Sequence, residues 1–451
     1  MPTPLPTQLS GAKFLADRKA ALLADAPRVG KTGAAIMAAD YIFARKILII
    51  TTASGRAVWK RGLPEWSIFP RRVQVITETT TINPSTDCVI VGWPSIAEPK
   101  VRARLLRVEW DLIISDEDHY AKNFEAKRTQ ALYGLLDGDG ARLLTSGALF
   151  AKAKRCWTLT GTPLPNSPFD MYPRLRALAP ERLAGDAKRE WPDVTREGDF
   201  KKRYCITRPK RISNFRSIDV IVGGRNEREL AERLEGFVLL RTQEDVGIRP
   251  PVYETFPLGV TDQVRTRIER DVDTAKVLAA AEAGDTKALE MHLGPLRRLT
   301  GRIKAQLVVE ALHDEFGCGL DKIVLGYWHK EVGEILRSGL SRYGVVGIDG
   351  STPASTRQVA EDHFRNDPDM RVAVNQIAAA GEAVDFSAAA TLWFVESSFI
   401  PKDMKQFALR ITNHTQTRQC FVRVPVLEGS VDEALQQILL RKWTSIREVL
   451  A

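Results

Sequence analysis

Leu23–Ala24–Asp25–Ala26–Pro27–Arg28–Val29–Gly30–Lys31–Thr32 runs from a short apolar segment into a helical pattern, and further on the chain reads Ile113–Ile114–Ser115–Asp116–Glu117–Asp118–His119. A Gly-Lys-Thr turn at a helix N-terminus presents backbone N–H groups, the positive end of the helix dipole and an ammonium to a triphosphate. In such a turn Gly30 and Lys31 hold the phosphates and Thr32 binds Mg²⁺. An acidic pair closing an apolar strand completes the site, with Asp116 polarising the water shell of the metal and Glu117 positioning the attacking water. Each motif alone has a plain alternative, an ordinary strand-to-helix connection or a solvated turn. Their order, each directly after a strand-like run, implies a site for ATP and Mg²⁺. The full phosphate-loop pattern places a glycine five residues before Gly30, and Asp25 stands there.

Working outward, apolar runs alternate with longer helix-like segments: Ala21 to Ala24, Lys46 to Ile50, Val73 to Ile76, Cys88 to Val91, Leu112 to Ile114 and Cys156 to Leu159. That rhythm predicts a parallel sheet covered by helices on both faces. A second series follows at Lys322 to Gly326, Val345 to Ile348, Met370 to Val374, Leu392 to Val395 and Cys420 to Val424. The fold class is therefore α/β, with two parallel-sheet lobes and a mainly helical insertion. The expected division is 1–180 for the first lobe with the ATP site, 181–300 for a basic and helical insertion with the lobe connection, and 301–451 for the second lobe. A length of 451 residues exceeds what one core organises, in keeping with several domains.

A formal net charge of +9 favours a polyanionic partner, although an excess of this size also serves solubility. It concentrates between Lys201 and Ser217, where Lys201, Lys202, Arg203, Arg208, Lys210, Arg211 and Arg216 occur with no acidic residue and with Tyr204 and Phe215 interleaved. Such a segment grips nucleic-acid phosphates by counterion release, or is a solvated basic loop. Cys88, Cys156, Cys205, Cys318 and Cys420 are scattered singly, which argues against a zinc site or a disulfide framework and suits a reducing compartment. No run approaches the length of a membrane span, and the start lacks a basic-then-apolar leader. The expectation is a soluble protein of the cytoplasm of a bacterium or a phage-infected cell.

With these pieces in order, the sequence resembles a superfamily 2 helicase of the Swi/Snf type over nearly its whole length. Leu5–Pro6–Thr7–Gln8–Leu9–Ser10–Gly11 is similar to the adenine-reading segment of that family, which implies that Gln8 reads the base with its amide. Thr52–Ala53–Ser54 with Trp59 and Trp66, and Gly92–Trp93–Pro94–Ser95, resemble segments that contact a DNA strand, Ser54 through phosphate; the tryptophans are equally readable as core. Thr160–Gly161–Thr162–Pro163 matches the element that links hydrolysis to movement, and Leu239–Leu240–Arg241–Thr242–Gln243–Glu244–Asp245–Val246 the segment closing the first lobe.

In the second lobe, Val324 to Val332 and Ile348–Asp349–Gly350–Ser351–Thr352–Pro353, with Arg357 and Phe364, most resemble the annealing-helicase branch and compact phage and bacterial relatives. Small polar residues after a strand, Ser351 and Thr352, are the expected phosphate contacts there. Two departures stand out. Gln376–Ile377–Ala378–Ala379–Ala380–Gly381–Glu382–Ala383 keeps only Gly381 and Glu382 of a nucleotide-contacting run. Arg410 matches the first of two arginines that reach the γ-phosphate, but Asn413 sits where the second is expected. Asparagine carries no charge to offset that spreading onto the transferred phosphoryl.

The resemblance implies a DNA-dependent ATPase that translocates on DNA, double-stranded in the usual case, as a monomer or as one subunit of a larger complex. RNA is not distinguished from DNA by these residues. Two alternatives stay open: a nucleic-acid-binding adaptor with weak ATPase, and the motor subunit of a restriction-type complex. Fork repair, recombination and phage genome maintenance all suit such a motor.

Overall fold

Apolar runs become parallel strands in the computed structural model, which describes residues 2–53, 55–138, 140–161, 163–164, 167–213, 216–270, 273–283, 286–380, 384–398 and 401–439. The chain divides into two compact units, Met1–Thr242 and Gln243–Ala451. Each carries its own parallel sheet and core. The span 181–300 is divided between them.

The strands of the first unit are β1 (Ala20–Leu23), β2 (Ile47–Thr51), β3 (Val73–Val75), β4 (Cys88–Gly92), β5 (Trp110–Asp116), β6 (Leu135–Leu136), β7 (Leu143–Leu144), β8 (Ala153–Leu159), β9 (Cys205–Ser213), β10 (Arg216–Gly224) and β11 (Val238–Leu239). Seven of them build one sheet in the order β11-β1-β8-β5-β2-β4-β3, all neighbours parallel. Both β2 and β4 are buried at every position, as strands covered on two faces must be. One face packs against α1 (Pro6–Ala16), α2 (Lys31–Tyr41) and α3 (Gly55–Trp66) through Leu15, Ala35, Ile36 and Trp59. The other packs through Trp93, Leu132, Tyr172 and Phe200.

The short strands β6 and β7 pair with each other, and β9 and β10 form a long antiparallel hairpin that the basic sequence did not announce. The hairpin follows the helix Glu197–Tyr204 and precedes the helix Glu227–Leu234, whose Phe200, Tyr204 and Leu230 enter the first core.

The second unit holds β12 (Val252–Leu258), β13 (Ile323–Tyr327), β14 (Val345–Ile348), β15 (Val372–Gln376), β16 (Thr391–Phe394) and β17 (Phe421–Leu427). They form one parallel sheet in the order β12-β17-β16-β13-β15-β14. Among its helices are Asp262–Arg270, Thr274–Ala283 and the long Thr286–Gly317. Among the described residues no helix is long and apolar enough to cross a membrane.

Just before β13, Lys322 is buried, and its ammonium donates to the carbonyls of Phe364 and Asp367, both at 2.6 Å, and of Met370 at 3.0 Å. Burial holds its pKa below the usual lysine value. The ammonium thereby gathers the end of the helix Ala354–Asn366 and the turn before β15 onto the start of β13. Lys322→Met keeps the stem and removes the donor, leaving three carbonyls unsatisfied. Urea unfolding of the second unit should show a loss of about 1–3 kcal/mol, and an unchanged midpoint would contradict this role.

Candidate nucleotide site

The loop between β1 and α2 hangs on the neighbouring edge strand. Ala24 N–H donates to Leu239 O at 2.7 Å and Ala26 N–H to Arg241 O at 2.8 Å. Gly30 starts α2 with φ +98°, a left-handed conformation that glycine adopts without strain, and a Cβ there would lie 2.5 Å from Gln8 Nε2. Gln8 is buried with its amide oxygen accepting Leu5 N–H at 2.9 Å, so α1 brings the expected base-reading residue against the turn. Lys31 Nζ donates to the carbonyls of Asp25 at 2.6 Å and Ala26 at 3.2 Å, curling over the loop that would receive phosphate. Thr32 follows in the first turn of α2.

The departure at Asp25 has a structural reason. Its carboxylate is buried and receives two hydrogen bonds from Arg241, Nε to Oδ1 at 2.8 Å and Nη2 to Oδ2 at 2.5 Å. Arg241 Nη1 continues to Thr7 O at 2.5 Å and Ser10 Oγ at 2.8 Å. One guanidinium therefore joins the loop, α1 and the end of the first unit. In the sequence Arg241 belongs to the segment that marks the end of the first lobe. The available signal was Asp25 itself, since an acid in an apolar loop needs a cation.

At the end of β5, Asp116 Oδ2 accepts Thr51 Oγ1 at 2.8 Å and Trp59 Nε1 at 2.9 Å, while Trp93 Nε1 donates to Asp116 O at 2.9 Å. Trp59 and Trp93 are core residues whose indole N–H groups hold the strand end, which decides the question left open for them. Burial foremost, and the charge of Glu117 next, push the Asp116 carboxyl up to about 6 against the Thr51 and Trp59 hydrogen bonds and the Lys31 charge. Glu117 turns the chain at φ +52°, and its Oε2 lies 3.1 Å from His119 Nδ1. His119 Nδ1 is also 3.2 Å from Thr160 Oγ1.

The next acid plays a different part. Asp118 is fully buried, accepting Ser115 Oγ at 2.8 Å, Tyr133 OH at 2.7 Å and the buried Arg174 guanidinium. Arg174 Nη1 also donates to Pro163 O at 3.0 Å and Asp170 O at 3.1 Å. The acidic run and the Thr160–Pro163 element are thus joined twice, through His119–Thr160 and through Asp118–Arg174–Pro163.

These donors fit a hard divalent cation. Asp116 is a half-buried carboxylate held at a cost by its surroundings, beside a second carboxylate, and a cation bound there would relieve that cost.

The remaining predicted residues fall elsewhere. Ser54, Gly381 and Glu382 lie outside the described residues, as does Thr162. Ser351 Oγ and Thr352 Oγ1 both donate to Asp349 Oδ1, at 2.6 and 3.2 Å, in the turn after β14. Of the basic segment, Lys201 pairs with Glu197 at 2.5 Å and Arg203 with Glu229 at 2.5 Å, although no acid stands within the run itself. Lys202 and Arg208 are exposed; Lys210 and Arg211 belong to β9, where only their backbone is described. Arg410 sits in the turn Leu409–Ile411 of the second unit, its carbonyl accepting Phe386 N–H at 3.0 Å. Asn413 Nδ2 donates to Ser387 Oγ at 2.5 Å and its Oδ1 accepts Thr415 N–H at 2.8 Å, so its amide closes the loop where a second arginine was expected.

A Gly-Lys-Thr loop and an acidic strand end lie on one parallel sheet, and a second unit with its own parallel sheet follows in the chain. No protein-family profile matches the chain. Over 97% of its length it is 26% identical to the DNA annealing helicase and endonuclease ZRANB3 of Mus musculus, of which it covers 40%. It is likewise 26% identical, over 97% of its length, to the SWI/SNF-related matrix-associated actin-dependent regulator of chromatin subfamily A-like protein 1 of Xenopus tropicalis, of which it covers 44%. The chain spans less than half the length of these relatives. A Sulfolobus solfataricus SWI2/SNF2 ATPase core in complex with dsDNA aligns over 99% of this chain and 93% of its own, at a TM-score of 0.45 and 18% identity. Over nearly its whole length the chain is thus similar to the helicase region of Swi/Snf-type relatives, annealing helicases among them.

The raised pKa of Asp116 has a consequence for the ligand-free protein. A carboxyl that binds its proton more tightly when folded contributes stability below its unfolded value of 3.8, and that contribution is lost as the pH rises through about 6. Asp116→Asn should therefore unfold at higher denaturant than the wild type above pH 6, by up to about 3 kcal/mol, and equally below pH 4. Equal stability across the whole range would contradict the strained-carboxylate reading.

Proposed function

We propose that this chain is an ATP-dependent translocase that moves on double-stranded DNA. The observation that carries the proposal is the half-buried Asp116, held by Thr51 and Trp59 beside Glu117, on the sheet whose β1 leads into Lys31 at the start of α2. In this reading Lys31 leaves the carbonyls of Asp25 and Ala26 for the β- and γ-phosphates, and Gln8 holds the base. Thr32 and Asp116 hold Mg²⁺, which when bound would screen phosphate charge as a Lewis acid. Glu117, steadied by His119, orients the attacking water, and the His119–Thr160 contact carries its position to the Thr160–Pro163 element.

Arg410 is our candidate from the second unit for charge neutralisation on the γ-phosphate. A ligand-driven change of state extracts work only from a difference in affinity between states, which ATP and its products provide. The relatives named as DNA annealing helicases support DNA as the track. Exposed Lys202 and Arg208 beside and on the β9–β10 hairpin support a phosphate-gripping surface. Lys201 and Arg203 contribute less, because each already pairs with a glutamate.

One observation favours a second reading, an adaptor with weak ATPase: Asn413 is committed to Ser387 and Thr415 and supplies no charge. For the same reason Asn413→Arg breaks a loop as it adds a cation. Hydrolysis itself separates the readings. Steady-state ATPase should rise severalfold with duplex DNA, less with single-stranded DNA or RNA, and fall by roughly 10²-fold or more in Lys31→Ala. Absence of stimulation by any nucleic acid would sink the translocase, and full activity in Lys31→Ala would sink the site.

A further inference from the structure

At the opposite end of the first sheet from the nucleotide loop, the chain leaves α2 in an unusual way. Ala44 N–H donates to Ala39 O and Phe43 N–H to Asp40 O, both at 3.0 Å, the paired bonds of a Schellman cap. The left-handed position of such a cap belongs to glycine, yet Phe43 occupies it at φ +53°. Its ring gains nothing from the core, being 74% exposed. A strained backbone that turns an aromatic ring into water is not accounted for by folding.

The surface around Phe43 is held rigid from below. Buried Asp40, on the last turn of α2, accepts Ser67 Oγ at 2.9 Å, Ile68 N–H at 2.8 Å and Arg71 Nη2 at 2.5 Å. Arg71 Nη1 returns to Ala44 O at 2.7 Å. The polar side of the loop 67–71 is thereby fastened to the cap, and its apolar side faces out. Ile68 is 64% exposed, and the Phe69 ring lies 6.0 Å from that of Phe43. An open cleft of about 630 Å³ is lined by Phe43, Phe69 and Pro70 together with Arg45, Arg72 and Asp87.

We infer that this face docks an acidic polypeptide segment carrying an apolar or aromatic anchor. Clustered, preorganised apolar side chains beyond the scattered exposure of ordinary surfaces mark a protein-binding site. The charges select the occupant. Arg71 is matched by Asp40 and Arg72 by Asp87 at 3.2 Å, which leaves exposed Arg45 as the cation offered at the rim. That suffices for one or two carboxylates beside a hydrophobic anchor, and falls short of the many phosphate contacts by which nucleic acid is held. Arg45 and Phe43 precede β2, whereas Thr51 and Asp116 end β2 and β5, so an occupant leaves the nucleotide loop clear.

The test uses the full chain and a display library of random 16-residue peptides, selected on the wild type and counter-selected on Phe43→Gly. The expected result is an enriched group with Asp or Glu beside a large apolar residue, bound at least 10-fold more weakly by Phe43→Gly and by Arg45→Glu. Amide-exchange protection should be confined to residues 41–46 and 67–72. Glycine relieves the left-handed backbone, so the melting temperature of Phe43→Gly should not fall, and Arg45→Glu provides the comparison without a backbone change. ATPase of both variants, with and without nucleic acid, should match the wild type, which separates this proposal from the function of the nucleotide site. No group that distinguishes Phe43→Gly, enrichment of basic or uncharged peptides, protection of the same residues by a (dT)20 oligonucleotide instead, or a self-association abolished by Phe43→Gly would each overturn it.

Discussion

Keeping the Asp116 carboxylate at the half-buried end of β5, with Glu117 adjoining it, is the constraint around which the first unit is arranged. Removing such a group from water favours its protonated form, and a second negative charge favours it further. Thr51, Trp59 and the Lys31 charge act in the other direction. Each comes from a different element: the end of β2, the middle of α3 and the start of α2. The order of β5 and β2 as sheet neighbours follows from the same need, since it brings Thr51 opposite the acidic end.

A second set of buried charges ties this centre to the rest of the lobe. Asp118, adjacent in sequence, turns inward to Arg174 and thereby fixes the Thr160–Pro163 element, while Asp25 turns to Arg241 and fixes the phosphate loop. Buried ion pairs of this kind contribute little net stability, but losing one partner costs several kcal/mol. Their use here is geometric. They hold loops in one arrangement around a site whose own charges oppose compact packing.

Much of this was legible before the structure. Apolar runs such as Lys46 to Ile50 and Cys88 to Val91 became buried strands with nearly the expected limits, because burial on two faces leaves an unbroken hydrophobic signal. Gly30 and Lys31 open a helix after β1 and Asp116 ends β5, element positions that a local motif carries in its own residues. The hairpin β9–β10 was not legible: Arg208, Pro209, Lys210 and Arg211 read as a loop, and only strand pairing rescues them. Nor were the partners of Asp25, Asp118 and Lys201, which depend on tertiary proximity rather than spacing; Arg174 lies 56 residues beyond Asp118. Trp59 and Trp93 were ambiguous because an indole serves equally as core filler and as donor, and here each does both.

In the proposed hydrolytic centre of Asp116 and Glu117, nucleotide binding and chemistry are separable. The direct measurement is Mg-ATP affinity and single-turnover hydrolysis in Glu117→Gln, which keeps the size and hydrogen bonding of the side chain but removes the carboxylate facing His119. The account predicts nucleotide affinity within a few-fold of the wild type and hydrolysis slowed by roughly 10²-fold or more. Hydrolysis at the wild-type rate would contradict it.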